Sequence, residues 1–116
     1  MKLQEKAIEA AKRFLYHRGW EILETDYRSD DEGIDIVGMD GDCLVFVDVQ
    51  AVRGSKDFPK EHYDKKTRER FEKLAIKFAS THDIVDKAMR FDVVSLLVIA
   101  NDRALIRHHV NALLAA

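Results

Sequence analysis

Two aspartates interrupt two short apolar segments that a turn joins. Asp35 lies in GIDIV at residues 33–37, and Asp48 lies in VFVDVQ at residues 45–50. Burying a carboxylate in a sheet is costly unless a cation or hydrogen-bond donors compensate for the lost water. Two such residues on neighbouring strands therefore predict a metal site. The alternative is structural: Asp35 is a solvated acid at a strand end, and Asp48 pairs with a nearby arginine.

The turn between the two segments decides whether the aspartates meet. Residues 40–41 are Asp-Gly, a strong signal for a two-residue hairpin loop. If these residues form the loop, Asp35 lies opposite Phe46 and diagonal to Asp48, about 7–8 Å away at Cα. Side chains alternate between faces with period two, so both carboxylates project from one face. An odd-length loop would put them on opposite faces.

Composition restricts the class of protein. The 116 residues are 47% hydrophobic with one proline, which predicts a single globular domain over residues 1–116. No apolar run approaches the roughly 20 residues that span a bilayer, so no membrane contact is expected. The N-terminal residues show no signal-peptide pattern. Cys43 is the single cysteine, which excludes an internal disulfide and favours the reducing cytoplasm.

The periodicity of apolar residues predicts an α/β (α+β) fold, with a central mixed sheet of about five strands flanked by helices. Asp64 is a plausible N-cap of the second long helix. Asp92 follows Arg90 on the same strand face, which favours a local ion pair. The expected helices cover residues 3–18 and 64–80 with a short one at the C-terminus, and the expected strands cover residues 20–27, 33–38, 43–51, 90–100 and 104–108.

A basic stretch follows the second aspartate. Residues 52–73 hold eight basic and five acidic residues, although the whole chain has a net charge of −2. One interpretation is a set of phosphate contacts for nucleic acid; the other is an ordinary solvated loop and helix face. The candidate nucleic-acid-binding residues are Arg53, Lys56, Lys60, Lys65 and Lys66.

Four blocks of sequence resemble the YraN-like family of small bacterial proteins, which have the restriction-endonuclease-like fold shared with Holliday-junction resolvases. The blocks at residues 33–37 and 45–49 are specific when they occur in this order. The other two mostly reflect core packing. They are AxxFLxxxGWxIL at residues 11–23 and RFDVV at residues 90–94.

The resemblance implies a nuclease site with Mg²⁺ or Mn²⁺ held by Asp35, Asp48 and the carbonyl of Val49. The family also implies a lysine two positions after the second acid, where this chain has Gln50. Gln50 is therefore a candidate catalytic residue that donates a hydrogen bond without a charge.

The first helix departs from the family pattern as well. The family's helix glutamate falls on Ile8 in this chain. Glu5 lies about 60° beyond Ile8 on a helical wheel, which leaves it a weak candidate for the catalytic site. Gln4 faces the sheet more directly than Glu5.

Three hypotheses follow. The first is a divalent-metal-dependent endonuclease acting on DNA, with branched DNA among the candidate substrates. The second is a degenerate nuclease fold that binds nucleic acid without cutting it, and the third is a protein-interaction module. Both hairpin aspartates favour the first two hypotheses, whereas the missing lysine and helix acid favour the second over the first. Relatives of the resolvase type suggest a homodimer, for which no apolar strip in the sequence marks the interface.

Overall fold

The described residues form two long helices and five strands, with three strands after the first helix and two after the second. The computed structural model describes residues 2–30, 32–59, 64–84 and 86–112. The C-terminal helix expected from the sequence lies largely outside these residues. The elements are α1 (Leu3–His17), β1 (Glu21–Ser29), β2 (Glu32–Asp40), β3 (Cys43–Arg53), α2 (Lys65–Thr81), β4 (Ala88–Ala100) and β5 (Arg103–His109).

The strands form one mixed sheet in the order β1-β2-β3-β4-β5. Strands β3 and β4 are parallel and are connected through α2, whereas the other neighbours are antiparallel. Parallel neighbours need a long crossover, which α2 supplies. The expected α/β class, with a mixed sheet of about five strands and flanking helices, is confirmed.

Helix α1 covers one face of the sheet. Ala7, Ala11 and Leu15 are buried, and their spacing of four residues places them on one helix face. They pack with Val45 and Val47 of β3, which point to the same side. The small alanine side chains let the helix lie close to the sheet, and this contact fixes where the N-terminus of α1 meets β3.

Helix α2 covers the opposite face. Its N-cap is Asp64, as expected, and the carboxylate accepts the N–H of Thr67 at 2.9 Å. Phe78 is fully buried and meets the rings of Tyr27 and Phe46 edge to face. No helix among the described residues is long and apolar enough to cross a membrane.

The hairpin register differs from the sequence-based expectation by two residues. Asp40 pairs with Cys43, so the loop is residues 41–42 rather than 40–41. Gly41 has φ +60°, which the first position of a II′ turn requires. Val37 consequently lies opposite Phe46, where Asp35 was expected. An even shift preserves the face of every side chain, so the aspartates remain on one side of the sheet.

A buried ionic network lies beneath α1 at the start of β4. Asp92 is fully buried and accepts hydrogen bonds from Arg90, from His108 at 2.8 Å and from the backbone N–H of Asn111. Arg90 also donates to Asp40 at 3.0 Å. The expected Arg90–Asp92 ion pair is thus confirmed, and it is part of a larger network that holds the hairpin and β5 to β4.

Substitution of Asp92 tests the importance of this network. Burial raises the pKa of Asp92, but the hydrogen bonds from His108 and Arg90 outweigh it and leave the pKa below its ordinary value. Asp92→Asn should lower the free energy of unfolding by about 3–5 kcal/mol, because it leaves the largely buried Arg90 with only the half-exposed Asp40 as a charge partner. Urea unfolding at neutral pH measures this loss. Asp102→Asn, at an exposed turn, is the control, and a similar loss in both variants would contradict the assignment.

Candidate functional site

The site lies where β2 separates from β3. The pairing of these strands runs from Asp40 opposite Cys43 to Ile36 opposite Val47. Asp35 is the next residue of β2, and its carboxylate accepts the N–H of Val49 at 2.7 Å, where a regular sheet would offer a strand carbonyl. Asp35 therefore takes over a hydrogen bond of the sheet with its side chain, which fixes the orientation of its carboxylate.

Asp48 lies beside Asp35 on the face that α2 covers. The hairpin pairing ends at Ile36 opposite Val47, and Asp35 and Asp48 are the next residues of the two strands. Their carboxyl groups lie close enough to interact. Burial, the largest cause, raises the pKa of Asp35 to about 7. The Val49 N–H lowers this pKa, whereas the hydrogen bond and the charge of Asp48 raise it. The pair behaves as a carboxyl dyad that holds one proton near neutral pH.

Two glutamine amides complete the site. Gln50 donates from Nε2 to Asp48 at 3.2 Å. Gln4 of α1 donates from Nε2 to the carbonyl of Val49 at 2.8 Å. Both groups that the family resemblance assigns to the metal beside Asp35, namely the Asp48 carboxylate and the Val49 carbonyl, thus accept a neutral amide donor.

The first helix contributes Gln4 rather than Glu5 to the site. Glu5 is exposed, and Ile8, at the family's glutamate position, packs against the core beneath α1. Among the hydrogen bonds and ion pairs of residues 2–30, none connects Glu5 to either aspartate. A catalytic role for Glu5 stays a prediction that would require a movement of α1.

A third aspartate was missed from the sequence. Asp26 of β1 falls between Thr25 and Tyr27, which pair with residues on either side of Asp35. Its φ of +53° is unusual within a strand, and its carboxylate accepts a hydrogen bond from Arg28 at 2.9 Å. Its charge contributes to the raised pKa of Asp35. The signal available in the sequence was an acidic residue inside an otherwise strand-forming segment.

The predicted nucleic-acid-binding residues that the structure describes lie at the end of β3, in the loop after it and at the start of α2. Arg53 ends β3 and Lys56 follows it in the exposed loop. Lys65 and Lys66 begin α2, but Lys65 lies 3.9 Å from Glu69, whereas Lys66 lines a groove beside the β1–β2 turn. Lys60 lies outside the described residues.

The sequence comparisons identify relatives. Residues 8–96 match the model of "Uncharacterised protein family UPF0102". This chain belongs to the UPF0102 family. The UPF0102 protein of Dictyoglomus thermophilum is 36% identical over 87 residues, or 73% of each chain. That of Moorella thermoacetica is 34% identical over 96 residues, covering 81% of this chain and 79% of the relative. That of Beutenbergia cavernae is 34% identical over 100 residues, or 84% of each chain.

The donor atoms of this UPF0102 site suit a hard divalent cation. Mg²⁺ is commonly bound by one or two carboxylates, with water and substrate oxygens as the other ligands. Asp35, Asp48 and the Val49 carbonyl supply such oxygens. The described residues contain no group of three or more His, Cys, Asp or Glu side chains that could hold a metal ion. The two-aspartate site fits the cation but predicts weak binding.

The raised pKa of Asp35 gives a stability prediction for the UPF0102 chain. A carboxyl pKa raised from 3.8 to about 7 contributes stability below pH 3.8 that is lost as the pH rises towards 7. Asp35→Asn keeps an acceptor for the Val49 N–H and removes the titration. Relative to the wild type, the variant should gain on the order of 1–2 kcal/mol between pH 5 and pH 8.5, after allowance for solvent screening.

Urea unfolding in EDTA at the two pH values measures this gain. Asp102→Asn is the control, because it removes an exposed carboxylate and should follow the wild type at both pH values. A constant difference between Asp35→Asn and the wild type across the range would show that the carboxyl dyad does not hold a proton near neutral pH.

Proposed function

We propose that the chain binds a divalent cation, Mg²⁺ or Mn²⁺, through Asp35 and Asp48, and that this site binds and hydrolyses phosphodiesters of DNA, with branched DNA among the substrates. The observation that carries the proposal is the geometry of the two carboxylates. They lie side by side on one face, and a backbone N–H fixes one of them at the point where the strands separate. Two adjacent carboxylates repel each other unless a proton or a cation lies between them, and a bound divalent cation would relieve this repulsion at neutral pH.

The residues of the site have distinct roles in this proposal. Asp35 and Asp48 hold the cation, and the N–H of Val49 keeps Asp35 in position. When bound, the cation would neutralise charge on the phosphoryl oxygens and lower the pKa of a water molecule. Gln50, whose amide already lies 3.2 Å from Asp48, would donate a hydrogen bond to the attacking water. Gln50 is uncharged and stands where the family resemblance implies a lysine, so the hydrolysis should be slow.

The size of this deficit follows from hydrogen-bond energies. A charged hydrogen bond exceeds a neutral one by about 1–2 kcal/mol, which corresponds to about five- to thirtyfold in rate. If the family lysine also assists proton transfer, the loss reaches roughly 10²–10⁴. We expect a measurable rate of hydrolysis even with the larger loss, provided that the cation binds.

A second candidate function is supported by Gln4. The side-chain amide of Gln4 donates a hydrogen bond to the Val49 carbonyl at 2.8 Å. Ile8 stands at the position of the family's helix acid. A site that has exchanged charged groups for glutamines suits a protein that binds nucleic acid, or metal weakly, without cutting it. The two functions share the fold and differ in whether the site cuts the nucleic acid that it binds.

Metal binding by the dyad is tested by calorimetric titration with Mn²⁺. Asp48→Asn should weaken binding at least tenfold, because it removes one of two anionic ligands while retaining the shape of the side chain. Asp102→Asn is the charge-matched control and should bind as the wild type does. Equal affinities of the wild type and Asp48→Asn would remove the metal site from the proposal.

Catalysis is tested by restoring the missing cationic donor. Gln50→Lys should raise hydrolysis of bis(p-nitrophenyl) phosphate in Mn²⁺ by about five- to thirtyfold, because a charged donor then faces the phosphoryl group. Gln50→Met, uncharged and of similar length, should give no increase.

The same assay should be made with linear, single-stranded and branched DNA. Adding Gln4→Ala frees the Val49 carbonyl and should raise the Mn²⁺ affinity further. A Gln50→Lys variant that binds Mn²⁺ but hydrolyses none of these substrates would favour the non-cutting function.

A further inference from the structure

Helix α2 carries a line of four basic residues. Lys66, Arg70, Lys73 and Lys77 are spaced by four, three and four residues, so they are neighbours along one side of the helix. At a rise of 1.5 Å per residue the line is about 16 Å long. All four line a groove of about 330 Å³ between α2 and the β1–β2 turn. We call these four residues the α2 basic line.

Three of the four basic side chains of this line make no ion pair with another described residue. Arg70 pairs with Glu32 at 3.1 Å, and Glu69, which also lines the groove, lies 3.9 Å from Lys65. Within the described part of the chain, no ion pair or hydrogen bond involves the side chains of Lys66, Lys73 or Lys77. Asp30, which is exposed, is the other acid of the groove. Four basic and three acidic residues thus line the groove, and the side chains of Lys66, Lys73 and Lys77 have no carboxylate partner among the described residues.

The α2 basic line lies on the same face of the sheet as the carboxyl dyad. Asp48 alternates along β3 with Leu44 and Phe46, which pack under α2. The Arg70–Glu32 pair attaches the line to the start of β2, and Asp35 follows three residues later on that strand. Three strand residues correspond to about 10 Å. Arg70, which lies within the line, is thus placed beside the start of the strand that carries Asp35.

We propose that the α2 basic line is the binding surface for the phosphates of a DNA strand that continues into the Asp35–Asp48 site. This inference rests on the proposed function, and it names the part of the protein that binds the substrate. One strand of a B-form duplex carries a phosphate about every 3.4 Å along the axis. A line of about 16 Å therefore spans about five nucleotide steps. Lys66, Lys73 and Lys77 would contact phosphates directly, and Arg70 would hold the helix to β2.

The test is fluorescence anisotropy with a fluorescein-labelled 20-base-pair duplex in EDTA, so that no strand is cut. The triple variant Lys66→Gln/Lys73→Gln/Lys77→Gln should bind about 10- to 100-fold more weakly than the wild type at 100 mM salt. The slope of log affinity against log salt should decrease in magnitude by about 2–3. Lys6→Gln/Lys12→Gln/Arg13→Gln is the matched control, since it removes three positive charges from α1 and should change affinity less than twofold.

Each alternative result contradicts the proposal. Equal losses in the two triple variants would show that net charge, rather than the α2 basic line, governs binding. No binding by the wild type, or binding with a flat salt dependence, would exclude phosphate contacts by the line and favour a protein partner. Circular dichroism of both variants checks that they fold, and single Lys73→Gln and Lys77→Gln variants replace the triple variant if it does not.

Failure of this inference is distinguishable from failure of the proposed function. Bis(p-nitrophenyl) phosphate is too short to reach from the dyad to α2, so its hydrolysis reports on Asp35 and Asp48 alone. Hydrolysis of this ester by the wild type in Mn²⁺ therefore tests the dyad, whereas DNA binding by the triple variant in EDTA tests the α2 basic line, so either can fail without the other.

Discussion

One backbone N–H links the fold to the candidate site. A buried N–H needs an acceptor, and in a regular sheet the partner strand supplies it. Because β2 leaves β3 after Ile36, the N–H of Val49 would lack that partner, and the carboxylate of Asp35 accepts it at 2.7 Å. The strands can separate only because a side chain replaces the lost hydrogen bond. The opening of the sheet and the orientation of Asp35 are therefore a single structural feature.

The same feature makes the site locally unfavourable. Asp35 is partly buried beside Asp48, and burial raises its pKa to about 7. The pKa of the buried Asp92 is shifted in the opposite direction. Hydrogen bonds from His108 and Arg90 keep the pKa of Asp92 below its ordinary value. Among the described residues, Asp92 is thus compensated by an arginine and further hydrogen-bond donors, whereas the Asp35–Asp48 pair has no cationic partner in the contacts given above. Local conflict of this kind is characteristic of functional positions rather than of structural ones.

Much of this arrangement is encoded in short-range patterns. The alternation of side chains placed both aspartates on one face, and that depended only on an even shift between the strands. The exact register could not be read, because both Asp40-Gly41 and Gly41-Asp42 are acceptable hairpin loops. Asp26 was missed for another reason, and of the α2 basic line only Lys66 was predicted as a binding residue. Their relation to the dyad depends on the pairing of β1 with β2 and on the packing of α2, which are contacts between distant parts of the chain.

Gln4 and Gln50 show how the site balances its charges. Each amide donates to an oxygen that a cation would otherwise use, namely the Val49 carbonyl and the Asp48 carboxylate. A neutral donor compensates such an oxygen only partly, since a hydrogen bond between a charged and a neutral group is weaker than one between two charged groups. A cation that enters must displace or share these contacts, so its net binding energy is reduced by them. The glutamines therefore stabilise the metal-free fold and weaken the metal site through the same two hydrogen bonds.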